Sequence, residues 1–171
     1  MQQKLRYPVL MILGVVGVAM GFAVSAALSE EVTGVPRVID GDTVQVGEVT
    51  IRLHGIDALE DDQTCLIDNE GDEPIEFACG PIPGIVLVSL IDSNEITCNG
   101  DERDRYDRLI ATCYLGEMNL GAWMVKSGFA VAYLKYSTDY APEQWSASNF
   151  RVGLMATEFE RPEYFRRGDR Q

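Results

Sequence analysis

The stretch 35–55 constrains the fold of this chain more than any other segment. Its second half, "EVTIRLHG", alternates apolar and polar residues with the period of two that is typical of a β-strand with one buried face. Gly47-Glu48 fits a two-residue hairpin turn with glycine first. In the register that this turn sets, Thr43 lies opposite Arg52. We therefore expect three short strands here, with the Arg52 guanidinium close to the Asp42 carboxylate.

The rest of the sequence predicts further strands and about three helices. In chain order these are a helix at 82–90, strands at 95–98 and 109–114, a helix ended by Gly128, a strand at 129–136 and a helix at 142–155. Residues 60–80 carry eight acidic side chains and are interpreted as a loop. Five strands with a helix inserted late and another at the end predict a mainly β, α+β fold, a small and partly open barrel of the OB type.

The first 27 residues have the composition of an export signal. Lys4 and Arg6 precede an uncharged run at 8–24, and small residues follow in "AVSAALSE". The run approaches membrane-spanning length, so a retained anchor is the alternative to a cleaved signal. Either way we expect the chain to be exported, as a periplasmic, secreted or outward-facing anchored protein. The domain itself is expected at 32–160, followed by a basic tail at 161–171.

The count of four cysteines and one histidine limits the metal and redox chemistry that this chain can support. No CxxC pair is present, which disfavours a zinc site, and an exported chain favours disulfides with three connectivities open. If the strands at 95–98 and 109–114 form a hairpin, Cys98 faces Cys113. Cys65 and Cys79 would then close the acidic loop.

The Asp-Gly-Asp sequence at Asp40–Asp42 fits a turn, but further carboxylates follow in register with it. Asp57 ends the third strand, and Glu60 lies three residues later. Carboxylates that converge at one end of a barrel favour a hard divalent cation, calcium before magnesium. The sequence therefore predicts one calcium ion at this end.

Positive side chains complete the predicted site. The formal net charge of −13 is unusual for a protein that meets a polyanion, and most of the arginines lie after residue 100. A carboxylate-held metal flanked by Arg52 and Arg108 nevertheless suits cleavage of a phosphodiester. Two guanidinium groups would stabilise the extra negative charge of the pentacoordinate state, and a carboxylate would order the attacking water.

Four motifs together resemble the staphylococcal nuclease-like (thermonuclease) family. They are "VIDGDTV", "IRLHGIDALE", "DRYDR" and "GFAVAYLKYS", in this order over 35–155. The resemblance implies a calcium-dependent nuclease on an OB-type barrel. We expect DNA and RNA as its substrates, little sequence preference and a monomeric state. It also supports the two local disulfides.

The resemblance assigns roles to individual positions. The calcium ligands would be Asp42, Asp57 and the carbonyl of Ala58, with Asp40 acting through water. Glu60 would position the attacking water or act as the base, and Arg52 and Arg108 would grip the phosphate. The nucleotide pocket would contain Arg105, Tyr106 and Tyr133, with Tyr136 or Lys135 as a further member.

Several positions depart from the family pattern or stand outside it. Asp107 replaces a glycine, and we expect its carboxylate to compete for Arg108; Leu59 replaces a proline. The tail arginines (Arg166, Arg167 and Arg170) are interpreted as solvated, and Trp123 and Trp145 as core residues. Two alternatives to a nuclease are a non-catalytic nucleic-acid-binding module and a calcium-stabilised envelope interaction module on the same barrel.

Overall fold

The computed structural model describes residues 29–168, so the predicted signal segment lies outside the described residues. The strands in this range are β1 (Glu30–Gly34), β2 (Arg37–Val38), β3 (Thr43–Val46), β4 (Val49–Leu53), β5 (Ile56–Asp57), β6 (Thr64–Asn69), β7 (Asp72–Ala78), β8 (Ile96–Arg103), β9 (Leu109–Leu115), β10 (Met118–Asn119) and β11 (Val131–Ala132). The helices are α1 (Ile82–Ile91), α2 (Leu120–Lys126), α3 (Ala141–Asn149) and α4 (Pro162–Phe165). None of the helices within 29–168 is long and apolar enough to cross a membrane.

The main sheet has the order β1-β8-β9-β4-β3-β2, with β10 added to β9. All its pairings are antiparallel except β4 with β9. The sheet curls around a core of buried aliphatic side chains from its strands and from α1 and α2, including Val44, Ile51, Leu87 and Met124. This architecture confirms the predicted α+β fold of the OB type.

The hairpin of β3 and β4 has the predicted register. Thr43 pairs with Arg52, and Gly47 adopts a positive φ of 57° in the turn. The alternation of "EVTIRLHG" sends Ile51 and Leu53 into the core, at 0% and 2% exposure. Arg52, between them in sequence, therefore points to the other face of the sheet, where the candidate site lies.

Both predicted disulfides are present. Cys98 on β8 faces Cys113 on β9, and the two residues are bonded. The bond between Cys65 and Cys79 ties the base of the acidic segment. Because each bond closes a loop of about fifteen residues, each lowers the entropy of the unfolded chain. In the chain-entropy model this raises the free energy of unfolding by about 3 kcal/mol per bond.

The sequence analysis predicted a loop for the acidic segment at 60–80. The structure instead has an antiparallel hairpin there, formed by β6 and β7. Its turn is formed by Glu70 and Gly71, both with positive φ, and the disulfide fixes its other end. Acidic residues are depleted in strands, which explains the wrong prediction. Here they stay exposed, because most residues of β6 and β7 face solvent.

The C-terminal part differs from the sequence prediction in three ways. The strand expected at 129–136 is confined to β11, and the last long helix ends at Asn149. Arg151 and Gly153 adopt left-handed backbone conformations there, and a 3-10 turn over Gly153–Ala156 follows. Trp145 lies on the solvent face of α3 at 69% exposure, so its assignment to the core was wrong, whereas Trp123 packs against the core.

Candidate active site

Arg52 joins the two most deeply buried carboxylates of the chain's candidate site. Its Nη1 donates to Oδ1 of Asp42, and its Nη2 donates to Oδ1 of Asp57 over 2.7 Å. The same Nη2 lies 3.3 Å from the carbonyl oxygen of Ile56. Asp42 and Asp57 are only 3% and 1% exposed. The β3–β4 register thus brings one guanidinium and two buried carboxylates to the end of β5.

The loop before β3 is closed tightly around Asp42. The backbone N–H of Asp42 donates to Oδ1 of Asp40 over 3.0 Å, and Oδ2 of Asp42 accepts from the N–H of Ala58 over 2.9 Å. Gly41 lies against the start of α1, where an added Cβ would stand 2.4 Å from Cβ of Pro83 and 2.6 Å from Cβ of Ala58. Only glycine allows this approach, which explains the middle residue of the Asp-Gly-Asp sequence.

The charges at this point are not fully balanced. Burial raises the pKa of the Asp42 carboxyl above its ordinary value, although the nearby Arg52 guanidinium opposes the rise. Burial alone would lower the pKa of Arg52, but Asp42 and Asp57 raise it overall, so this guanidinium stays charged. A further positive charge close to Asp42 would therefore be stabilising.

Arg108 approaches the same carboxylates from the turn between β8 and β9. Its Nε donates to Oδ2 of Asp104 over 2.8 Å, its Nη2 forms an ion pair with the same oxygen at 2.7 Å, and its Nη1 donates to Oγ1 of Thr43 over 3.3 Å. The Thr43 hydroxyl in turn donates to Oδ1 of Asp42 over 3.0 Å. A continuous chain of hydrogen bonds thus links Arg108 to Asp42.

The Asp107 carboxylate does not compete for Arg108, although the sequence analysis had expected it to. The Asp107 side chain is 88% exposed, and its nearest cation is Arg103, with 3.7 Å between Nη1 and Oδ1. Asp107 has a left-handed φ of 64°, and none of the ion pairs or hydrogen bonds within 29–168 joins its carboxylate to Arg108. The carboxylate that holds Arg108 is Asp104, and sequence reasoning missed it although it stands four residues earlier in the same motif.

The predicted pocket residues flank the site on two sides. The guanidinium carbon of Arg105 lies 4.8 Å from the ring centre of Tyr106, and that of Arg108 lies 5.5 Å from the same ring. On the other side, the N–H of Tyr133 donates to the carbonyl of Gly55 over 2.9 Å, which fixes this tyrosine beside β5.

The sequence analysis left Tyr136 and Lys135 as alternatives for one pocket residue, and both are exposed and lie next to each other. The Tyr133 and Tyr136 rings meet edge to face at 4.7 Å between centres, and Nζ of Lys135 lies 5.4 Å from the Tyr136 ring centre. Tyr136 is 71% exposed. Both candidates, Lys135 and Tyr136, therefore lie at the edge of the same aromatic surface.

Arg166 belongs to the site, although the sequence analysis did not place it there. This residue follows α4 and was interpreted as solvated, but its Nη1 and Nη2 donate to Oδ1 and Oδ2 of Asp57 over 3.0 and 2.9 Å. Its Nη1 also donates to Oε1 of Glu60 over 2.6 Å. The solvated interpretation was wrong for Arg166, because the chain after β11 folds back across the carboxylate end of the barrel.

Glu60 itself is positioned by a buried glutamine that the sequence analysis did not single out. Oε1 of Gln63 accepts from the N–H of Glu60 over 2.9 Å, and Nε2 of Gln63 donates to the carbonyl of Glu160 over 2.9 Å. Gln63 is 1% exposed. Its amide therefore joins the loop that carries Glu60 to the segment that leads into α4.

The donor atoms at the site have the chemistry that calcium requires. Asp42, Asp57 and Asp40 supply carboxylate oxygens, and the Ala58 backbone lies against Asp42; neither histidine nor thiolate is involved. Within 29–168, no three acidic, histidine or cysteine side chains stand together as a ready ligand set. Asp42 and Asp57 are instead paired with Arg52 and Arg166, although their oxygens are of the kind that a hard divalent cation prefers.

Comparison with known proteins matches this chain to the family model described as staphylococcal nuclease homologue, over residues 50–151. The matched range includes Arg52, Asp57, Glu60 and Arg108 and begins after Asp42.

Similar individual proteins come from three bacteria. A succinoglycan biosynthesis protein, ExoI, of Rhizobium meliloti is 29% identical over 154 residues, which cover 86% of this chain and 77% of the relative. An uncharacterized endonuclease of Haemophilus influenzae is 31% identical over 144 residues, 79% of this chain and 73% of the relative. Another, of Escherichia coli O157:H7, is 34% identical over 110 residues, 61% of this chain and 63% of the relative. The chain thus spans just under two thirds of the Escherichia coli protein.

Proposed function

Because the chain belongs to the staphylococcal nuclease homologue family, we propose that it is a nuclease that requires calcium and hydrolyses phosphodiester bonds of DNA and RNA with little sequence preference. The observation that carries the proposal is the linkage of Arg52, two buried carboxylates and Arg108 by hydrogen bonds. Two relatives are named endonucleases, which is consistent with this chemistry.

The calcium ion would be held by the carboxylates of Asp42 and Asp57 and the carbonyl of Ala58, with Asp40 acting through water. When bound, calcium would neutralise these carboxylates and polarise a phosphoryl oxygen of the substrate. The burial of Asp42 and Asp57 makes them strong partners for a cation, because water competes little for their charge. Their chemistry thus supports a calcium site at the end of β5.

The two arginines would supply the charge that the transition state requires. Arg52 is locked beside the buried carboxylates, and Arg108 is oriented by Asp104 and Thr43. Guanidinium groups donate two parallel hydrogen bonds to a phosphate, and such donors gain strength as negative charge develops on its oxygens. We assign both arginines to the phosphate.

Glu60 would accept a proton from the attacking water or hold that water in line with the phosphorus. Its carboxylate is half-exposed and next to Asp57, so a water molecule can reach it from solvent. Gln63 fixes its backbone, and Arg166 fixes its side chain in the structure as it stands. For Glu60 to act as a base, Arg166 must release it.

The surface around the site explains how an acidic protein would hold a polyanion. Arg105 with Tyr106 flanks one side, and Tyr133 with Tyr136 and Lys135 flanks the other. Aromatic rings accept any base by stacking, and neighbouring cations attract the backbone, so this arrangement favours binding without sequence preference. Given the net charge of −13, we expect weak substrate affinity that falls further with salt.

One observation favours a second candidate, a non-catalytic nucleic-acid-binding or calcium-stabilised envelope module. Arg166 engages both Asp57 and Glu60, the residues assigned to the cation and to the water. A protein in which this contact is permanent would bind nucleic acid or a partner without cleaving it. It would then show no hydrolysis at any calcium concentration.

The cellular setting follows from the same proposal. Two disulfides suit an oxidising compartment, and we propose that the chain is exported and acts as a monomer in the periplasm or outside the cell. It would meet a membrane only if the N-terminal segment were kept as an anchor.

The experiment that tests the calcium site compares Asp42→Ala with Asp61→Ala in calorimetric titrations with calcium and in nuclease assays. Asp61 is an exposed carboxylate of the neighbouring loop and controls for loss of one negative charge. We expect Asp42→Ala to abolish both calcium binding and hydrolysis and Asp61→Ala to keep both. Full hydrolysis by Asp42→Ala would refute the proposed site.

A further inference from the structure

The segment after the 3-10 turn is held by hydrogen bonds to β6, to Gln63 and to β11 before it reaches the site. Leu66 and Glu158 exchange two backbone hydrogen bonds of 2.9 and 2.8 Å, and Gln63 binds the Glu160 carbonyl over 2.9 Å. Arg161 then donates to the carbonyl of Ala132 over 3.2 Å. These contacts fix where α4 begins and so place Arg166 over the carboxylates.

Arg166 makes the contacts that a bound cation would make. Both oxygens of Asp57 accept from it, and one oxygen of Glu60 does so as well. Asp57 is almost fully buried, whereas the Arg166 side chain is 35% exposed. The carboxylate is therefore a permanent part of the site, and the guanidinium is a group that can leave it towards solvent.

The electrostatics of this contact are favourable for the guanidinium. The Arg166 guanidinium donates three hydrogen bonds to the carboxylates of Asp57 and Glu60. The positive charge of Arg166 thus compensates two carboxylates that would otherwise repel each other in the absence of another cation.

We infer that Arg166 is a built-in competitor of the divalent cation, an autoinhibitory contact that must open before calcium can bind Asp57 and before Glu60 can bind water. This inference rests on the calcium site of the proposed function. Calcium and the guanidinium share the oxygens of Asp57, so the two occupants exclude each other. The protein is then latent at low calcium and is released by mass action as calcium rises.

The size of the effect follows from the population of the closed contact. A binding-competent state that is occupied one tenth of the time weakens the apparent affinity about tenfold. Opening requires only the loss of a one-turn helix and of three side-chain hydrogen bonds. An open fraction of about one tenth is consistent with so short an element.

A different role for Arg166 would be a third arginine for the phosphate. The contacts argue against it, because Arg166 points at the carboxylates and not at the side on which Arg108 and Thr43 meet. The two roles predict opposite results for calcium affinity. A phosphate-binding arginine that is not a competitor leaves the affinity for calcium in the absence of nucleic acid unchanged.

The test is a calorimetric calcium titration, without nucleic acid, of the oxidised protein expressed from its full-length coding sequence. The variants are Arg166→Gln and Arg166→Lys, and the matched control is Arg167→Gln, which removes the same charge from the adjacent exposed residue. We expect Arg166→Gln to bind calcium about tenfold more tightly than the unmodified protein. Arg167→Gln should stay within about twofold, because an exposed charge has a weak effect.

Arg166→Lys keeps a positive charge but loses the two-pronged geometry, so its calcium affinity should lie between the other two. If Arg166→Gln does not fold, the calcium affinity of Arg166→Lys still tests the inference. Equal calcium affinity in the unmodified protein and in the Arg166 variants, or weaker affinity in the variants, would overturn the inference and leave the calcium site standing. No calcium binding by any of these proteins would overturn both.

Discussion

The Arg108 guanidinium reaches the hydroxyl of Thr43 over 3.3 Å, although 65 residues separate them in the chain. Thr43 donates to Asp42, so one hydroxyl stands between the arginine assigned to the phosphate and a carboxylate assigned to calcium. The parallel pairing of β4 with β9 brings the two parts of the chain together. The buried Thr43 side chain thus helps to position both the Arg108 guanidinium and the Asp42 carboxylate.

Arg108→Ala should lower the turnover number at least about 10²-fold, the scale for the loss of one transition-state donor. Calcium affinity, measured by calorimetry, should stay nearly unchanged because Arg108 contacts Asp104 and Thr43 and none of the assigned ligands directly. Arg103→Ala is the matched control, since this arginine of the same turn pairs with Glu30. An equal loss in both variants would show that the effect is general electrostatics.

The ion pair of Asp104 with Arg108 should make stability depend on pH. Partial burial alone would raise the pKa of Asp104, but hydrogen bonds from Arg108 and from backbone amides carry it below its ordinary value. A lowered pKa stabilises the fold above the unfolded-state value of about 3.9, and this contribution is lost as pH falls through the folded-state value. In urea unfolding, Asp104→Asn should be less stable than the unmodified protein at pH 7, and the difference should shrink at pH 3. A difference that is the same at both pH values would contradict this account.

Asp107→Gly should leave turnover within about twofold, because the Asp107 carboxylate is exposed and does not contact Arg108. The free energy of unfolding should rise by about 1 kcal/mol at most, since glycine adopts the left-handed conformation at φ 64° more easily. Asp107→Ala removes the same charge without relieving the backbone, so it should not gain stability. A large gain in turnover in both variants would restore the competition expected from the sequence.

Gly41→Ala should destabilise the protein by about 1–3 kcal/mol, because the added methyl group would overlap Pro83 and Ala58. It should also weaken calcium binding, since it displaces the loop that holds Asp42. Gly84→Ala is a matched control on the opposite side of the same contact, where the nearest atom to an added Cβ is 3.6 Å away. Chemical unfolding and calorimetry of both variants measure the two effects, and similar behaviour of the two would refute the steric argument.

Features set by neighbouring residues could be predicted from the sequence. The turn at Gly47 fixes the register that brings Arg52 to Asp42, and the pairing of β8 with β9 fixes the bond between Cys98 and Cys113. Both follow from alternation and turn chemistry, which act over a few residues. The acidic hairpin could not be read in this way, because its exposed carboxylates conceal the strand pattern.

The contacts of Arg166 depend on long-range packing and carry no local signal. It reaches Asp57 across 109 residues, along a path set by the backbone pairing of Glu158 with Leu66 of β6 and by the hydrogen bond of the Gln63 side chain to the Glu160 carbonyl. An arginine in a basic tail is usually solvated, and no pattern in the sequence distinguishes this one from Arg167. Asp104, by contrast, could have been identified as the partner of Arg108 from its spacing in the turn.

The most direct test of the calcium-dependent nuclease is hydrolysis of single-stranded DNA, double-stranded DNA and RNA by the purified, oxidised protein as calcium is titrated. We predict that all three are cleaved, that cleavage rises with calcium occupancy measured by calorimetry, and that chelation stops it. Magnesium should substitute poorly, because it demands tighter octahedral geometry and gives up water reluctantly. A protein that binds calcium through Asp42 and Asp57 yet cleaves none of the three substrates would contradict the account and leave the non-catalytic module in its place.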